Sequence, residues 1–239
     1  MVRREDWIEH YCLPYDITFQ INNQINFERQ NIIQELLEKE TTSLKIFNYF
    51  IKTYYIPMTT SINTNIFYLP KKLQENLVIP GILNIYYFMN HEKGILNQLR
   101  LQLQKEDSKI EIGKLMIKSI PLIQLYGSYF QHFKEKIETF YLLKKKFKKF
   151  SNFLKDIQEN DLNLEGKSYE DLICLPYQRV CHYELFLEKL NSKTSFFHKD
   201  KINLCLAVQD IKKFKGNLNS KMKKSKETDK KSFQDIILV

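Results

Sequence analysis

The chain has 239 residues and a formal net charge of +9, and 43% of its residues are hydrophobic and 13% aromatic. That composition excludes a disordered polymer, and the length suffices for one large domain or two small ones with a substantial core. The charge calls for an acidic partner surface, yet only five of the 37 basic residues are Arg, so specific nucleic-acid readout, which favours the planar guanidinium, is not expected.

With 6 Gly and 6 Pro in the whole chain, breaks are few and long helices are favoured. Phe27, Ile32, Ile33, Leu36, Leu37, Leu44, Phe47 and Phe50 draw one apolar stripe, which predicts a helix from about Phe27. Pro57 and the Ser/Thr/Asn cluster of YYIPMTTSINTN predict a loop at its end. A second helix is expected from Lys72 toward Gln104, broken at Pro80 and Gly81. Asp107 or Ser108 is the expected cap of the helix KIEIGKLMIKSIPLIQLYGSYF, with a kink at Pro121, and the helical pattern continues from Gln131 to Asp156. Within it, FYLLKKKFKKF interleaves aromatics and lysines. Phe140, Phe147 and Phe150 are spaced seven and three apart, so they read as core with the lysines outside.

ENDLNLEG is a loop, and Ser168 with Asp171 three residues on resembles a capping box that opens a helix running through Pro176 to about Asn191. After the polar link SKTSFFHKD, a last helix is expected from about Lys199 to Lys223. The Lys-rich segment beyond should fray into a solvated tail able to make weak contact with an anionic membrane. No alternating strand pattern precedes the terminal IILV, and neither a repeat nor a long linker divides the chain. The expected fold is all-α, an elongated bundle of about six helices.

No phosphate-binding glycine loop, nucleophile elbow or H-E-x-x-H pair is present, and the five histidines are scattered, so neither covalent chemistry nor a metal or other cofactor is expected. Cys12, Cys174, Cys181 and Cys205 lack metal spacing and read as buried thiols in a reducing compartment. Charge-free apolar runs fall short of the ~18 residues a membrane span needs, and the first residues lack a secretory pattern. A cytoplasmic location is expected, with recruitment to the plasma membrane as an option.

Three segments, in order, resemble the Dbl homology domain of guanine-nucleotide exchange factors for Rho-family GTPases. NIIQELLEKETTSLKIFNYFIKTYYIPM, residues 31–58, looks like the family's opening helix, with an E-L-L-x-x-E core made by Glu35, Leu36, Leu37 and Glu40. The stretch from 112 to 156 is similar to its middle region in Pro121, Tyr126, Tyr129 and the Phe150/Phe153 pair. ICLPYQRVCHYELFLEKL looks like L-I-K-P-x-Q-R-[IV]-x-K-Y-x-L-L-L-x-x-L, and AVQDIKKFKGNLNSKM fits the closing helix up to Asn219. The resemblance covers about 28 to 224 and requires the all-helical bundle reached above.

It implies a module that grips the two switch segments of a Rho/Rac-type small GTPase, GDP-bound or nucleotide-free, disturbs the Mg²⁺ and phosphate site, and releases GDP without covalent chemistry. Glu35 matches the glutamate that holds the first switch, with Lys39 one turn on; Asn219 matches the asparagine at the second switch, with Lys223 one turn beyond. Pro176, Val180, Tyr183, Leu187 and Leu190 form a core stripe, and Gln178 and Arg179 read as structural. Tyr177, Cys181, Glu184 and Glu188 form the neighbouring stripe, which family geometry would turn toward the GTPase together with His182.

Leu175, His182 and Glu188 stand where the pattern carries basic residues. Glu184 and Glu188 are then expected either to select a GTPase with a more basic switch region or to mark a weak adaptor that docks a GTPase or cytoskeletal partner without exchange. The implied organisation is an extension over 1–26, the domain over 27–224 and a basic tail over 225–239. In that tail SFQDIILV could open a pleckstrin homology domain of the kind that usually follows in the family.

Overall fold

A computed structural model describes the backbone of residues 15–64, 81–160 and 166–237, and side chains chiefly within 26–60, 81–160 and 166–220. The fold is all-α. Helix α1 spans Tyr15–Phe50 and passes through a π-helical turn, Ile51–Tyr55, into α2, Ile56–Thr64. Helices α3 (Ile82–Asn90), α4 (Ile95–Leu103), α5 (Ile112–Ile123), α6 (Gly127–Lys146), α7 (Lys148–Asn160), α8 (Tyr169–Ser192) and α9 (Lys201–Ile237) follow. Helix α8 packs between α1 and α9, and α9 also lies against α5 and α6.

Several boundaries differ from the sequence expectation for identifiable reasons. Helix α1 starts upstream of Phe27, which is 59% exposed and not part of the core stripe. The loop expected at Pro57 is helical. The wider π turn just before it eases the loss of the Pro57 N–H, the Thr59 and Thr60 hydroxyls donate to the carbonyls of Tyr55 and Ile56, and buried Tyr54, Tyr55 and Met58 anchor the segment. The helix expected from Lys72 lies partly outside the described residues; its described part breaks again at His91–Gly94. There a Cβ on Gly94 would stand 2.6 Å from the Phe88 carbonyl oxygen.

Neither Asp107 nor Ser108 caps α5. Those residues belong to a 3₁₀ turn, and the capping carboxylate comes from far along the chain: buried Asp200 accepts from the backbone N–H of Gly113 at 2.7 Å and of Lys114 at 3.1 Å. Pro121 lies in the last turn of α5 and a 3₁₀ turn, Gln124–Tyr126, leads into α6. Phe147 takes an extended conformation between α6 and α7, which splits the helix expected from Gln131 to Asp156. Phe140 and Phe150 are buried beside this break and Phe147 packs half-buried against the core, as the spacing predicted.

The capping box is present: the Ser168 hydroxyl oxygen accepts from the Asp171 N–H, and the Asp171 carboxylate accepts from the Ser168 N–H. Helix α9 runs on to Ile237, so the described part of SFQDIILV is helical rather than the strand considered for it. Among the described cysteines, Cys174 and Cys181 are half-buried and Cys205 is exposed, not the buried thiols expected.

Candidate functional site

Helix α8 organises the site because it runs antiparallel to both neighbours. Against α1, Lys193 meets Glu28, Lys189 meets Glu35, and Arg179 meets Glu40. Against α9, Tyr177 meets Asn219, Glu184 meets Lys215, and Glu188 meets Lys212. The expected core stripe of Pro176, Val180, Tyr183, Leu187 and Leu190 is buried throughout. Pro176 leaves the helical ladder short of a donor at this point, and the Tyr129 hydroxyl of α6 donates to the adjacent carbonyl of Ile173.

Beneath the α1/α8 seam lies a buried polar network. Arg179 donates through Nη2 to Glu40 Oε2 and, at 2.6 Å, to the Tyr183 hydroxyl oxygen, while the Tyr183 hydroxyl donates to Glu40 Oε2 at 3.1 Å. Burial pushes the Glu40 carboxyl up, and the Arg179 charge with the Tyr183 hydrogen bond pulls it back. The Arg179 guanidinium stays charged, held by Glu40 against the cost of burial. Arg179 is therefore structural, as its position in the pattern suggested, and the second glutamate of E-L-L-x-x-E is its counter-ion.

Above that network the seam opens into a groove of about 190 Å³, whose lining includes Glu35, Lys39, Ser43, His182, Leu185 and Lys189. Glu35 Oε2 accepts from Lys189 Nζ at 3.0 Å, and its Oε1 lies 3.9 Å from Lys39 Nζ. The Lys189 hydrogen bond holds the Glu35 carboxyl below its usual range, with the charges of Lys189 and Lys39 acting the same way. The groove thus offers a fixed, ionised acceptor at its mouth and an apolar wall from Leu185, which is 63% exposed. His182 is exposed on the same face.

Sequence reasoning placed Glu35, Lys39 and His182, and the structure brings those three together. It overlooked Lys189 and Leu185. The spacing of seven from His182 to Lys189 was the available signal, since it returns to the same helix face after two turns.

The stripe of Tyr177, Cys181, Glu184 and Glu188 borders the α8/α9 seam. This stripe turns toward the chain's own closing helix. Lys215 pairs with Glu184, whose side chain is only 13% exposed, and Lys212 pairs with Glu188 at 2.5 Å. Both acids are thus paired within the chain, and the Glu188 side chain, 40% exposed, also reaches the surface. Asn219 is half-buried and accepts from the Tyr177 hydroxyl at 3.0 Å through Oδ1, which leaves its amide nitrogen for another contact. Lys223 lies on α9 where only the backbone is described.

No group of three or more metal-ligating side chains occurs among the described residues, and no helix there is long and apolar enough to cross a membrane. The groove holds acceptors, cations and an apolar wall. On one open face these are the elements from which recognition of a macromolecule by charge and shape is built.

The family model of the RhoGEF domain matches residues 32–219. Among curated proteins, the chain is similar to Rho guanine nucleotide exchange factor 17 of Homo sapiens, 25% identical over 171 residues, covering 67% of this chain and 8% of that protein. It is also similar to FYVE, RhoGEF and PH domain-containing protein 4 of Rattus norvegicus, 24% identical over 186 residues, covering 76% of this chain and 23% of that protein. The chain thus spans less than a quarter of the length of these relatives.

Among solved structures, the complex of human RhoA with the DH/PH fragment of PDZRHOGEF aligns with a TM-score of 0.74 at 19% identity, covering 85% of this chain and 56% of that one. The DH domain of FARP2 aligns with a TM-score of 0.67 at 20% identity, covering 89% and 96%. These likenesses establish the fold.

Proposed function

This chain belongs to the RhoGEF domain family, and from that premise we propose that it binds a Rho-family small GTPase across α1, α8 and α9 and accelerates GDP release. The observation that carries the reading is the Glu35 carboxylate, ionised and held by Lys189 at the mouth of an open groove. A carboxylate fixed in that way can receive donors from a switch segment without reorganising, which favours whichever GTPase conformation presents them. Lys39 and His182 extend the same face, Asn219 contributes its free amide nitrogen, and Lys223 lies one turn further along α9. Glu184 and Glu188, paired with Lys215 and Lys212, serve to hold α9 at the angle this surface needs.

A relative solved in complex with human RhoA supports a Rho-type partner. The domain is proposed to occupy residues 27–224. Exchange follows from differential affinity: a protein that binds the nucleotide-free GTPase more tightly than the GDP form must, by linkage, weaken GDP. The test is a titration of the chain with one Rho-type GTPase in both states. Tighter binding to the nucleotide-free form supports exchange. Equal binding supports the adaptor reading, and no binding to either removes the GTPase as partner.

A further inference from the structure

Where α8 ends, the connection to α9 leaves two large apolar side chains in solvent. Phe196 is 82% exposed and Phe197 93%, with their rings set edge to face at 5.8 Å. The apolar surface continues on α9 through Ile202, 74% exposed, and Leu206, one turn on and 46% exposed. The inner face of the same helix is already satisfied, since Leu204, Ala207 and Ile211 are buried. The exposed stripe is therefore a second apolar face, turned away from the bundle.

Beside it, along α4 and α5, lies a cleft of about 460 Å³ lined by Lys93, Lys105, Lys114 and Lys118 against a single carboxylate, Glu111. Lys114 lies 3.6 Å from that carboxylate, and Lys105 donates to Gln102. Neither Lys93 nor Lys118 has an ion-pair partner among the described residues.

The cleft and the aromatic tip are fixed to each other. Asp200, three residues past Phe197, caps α5 through Gly113 and Lys114, and Lys199 reaches Glu111 at 3.9 Å. Gly113 permits this approach, because a Cβ there would stand 2.4 Å from the Leu204 backbone nitrogen. The base of the tip is therefore held against the helix that carries Lys114 and Lys118.

We propose that this end of the bundle docks on an anionic lipid bilayer, with Phe196 and Phe197 entering the acyl boundary and the cleft lysines receiving lipid phosphate. A wedge of exposed aromatics beside basic side chains matches the two halves of a membrane interface at once. The cleft lysines supply the charge, while nearby Lys193, Lys199 and Lys201 are already engaged by Glu28, Glu111 and the Asn191 carbonyl. A protein partner would need an apolar pocket and several carboxylates in the same arrangement; the bilayer supplies both layers without design. Lysine suits the role, since a fluid headgroup layer asks for point charges rather than the rigid guanidinium fork. The proposal goes beyond nucleotide exchange and does not depend on GTPase binding.

The test is cosedimentation of the whole chain with vesicles of phosphatidylcholine alone, with phosphatidylserine, or with phosphatidylinositol bisphosphate, in the absence of any GTPase. Binding is expected to the anionic vesicles only and to fall with added salt, as charges outside a Debye length of about 8–10 Å are screened. The Phe196→Ser/Phe197→Ser variant and the Lys93→Glu/Lys118→Glu variant should each weaken it by about tenfold or more. Retention of binding with inositol phosphate added as competitor points to the bilayer, whereas full loss with binding insensitive to the Phe pair assigns the cleft to a soluble phosphate and overturns docking. Absence of anionic binding, or indifference to both variants, overturns it as well. A change of oligomeric state in the Phe variant with unchanged vesicle binding would give the patch to a second copy of the chain instead.

Discussion

Glu35 on α1 and Lys189 on α8, 154 residues apart in the chain, meet at 3.0 Å across the groove between their helices. Both side chains are about half exposed, at 48% and 57%, so water screens the pair and its value to folding is small, less than about 1 kcal/mol. Its effect is positional, because it biases the carboxylate toward one orientation before a partner arrives. Lys189→Ala is expected to leave the unfolding midpoint in denaturant nearly unchanged while lowering affinity for the nucleotide-free GTPase several-fold. Parallel unfolding and titration measurements check the split; a loss of stability with unchanged affinity would make the lysine a structural residue only.

The other glutamate of the same motif behaves oppositely. Glu40 is 3% exposed and bound to Arg179 and Tyr183, so Glu40→Ala strands a buried guanidinium. Breaking such a pair costs about 3–5 kcal/mol, a large part of the stability of an ordinary domain. Chemical denaturation of Glu40→Ala should show that loss, with Arg179→Ala similar. The double variant should lose less than the sum of the two, because no charge remains unpaired.

These two glutamates show what the sequence could and could not reveal. E-L-L-x-x-E marked both positions, and periodicity identified Leu36 as core. Periodicity carries no information on which carboxylate faces a buried arginine, since that depends on where α8 crosses α1. The Pro176–Leu190 stripe was legible because burial on one face of a helix repeats in the sequence. The neighbouring Glu184/Glu188 stripe was not, because its partners Lys215 and Lys212 lie in another helix and surface lysines leave no periodic trace. The α5 cap failed for the same reason: Asp107 and Ser108 satisfied the local rule, but Asp200 supplied the acceptor from 87 residues away. Helix continuation past Pro57 was hidden because tertiary burial of Tyr54 and Tyr55 overrides the local preference of a Pro/Thr/Ser cluster.

The seam between α8 and α9 gives a charge-swap test. Glu188→Lys places like charges together at Lys212 and should lower the thermal unfolding midpoint, while Glu188→Lys with Lys212→Glu should restore much of it. If Glu188 acts only through α9, the swapped pair also recovers GTPase binding. Recovery of the midpoint without recovery of binding would show that the partner reads the charge at 188 directly.

The most direct test of exchange is the release of fluorescent GDP from a Rho-type GTPase, timed with the wild-type chain and with Glu35→Ala. Glu35 is exposed and off the apolar stripe, so the variant should unfold at the same denaturant concentration as the wild type. The wild type is expected to accelerate release, and the variant to do so about tenfold less or worse, about 1.4 kcal/mol of transition-state stabilisation. No acceleration by the wild type across Rho-type GTPases, or wild-type acceleration by a folded Glu35→Ala chain, would contradict the account.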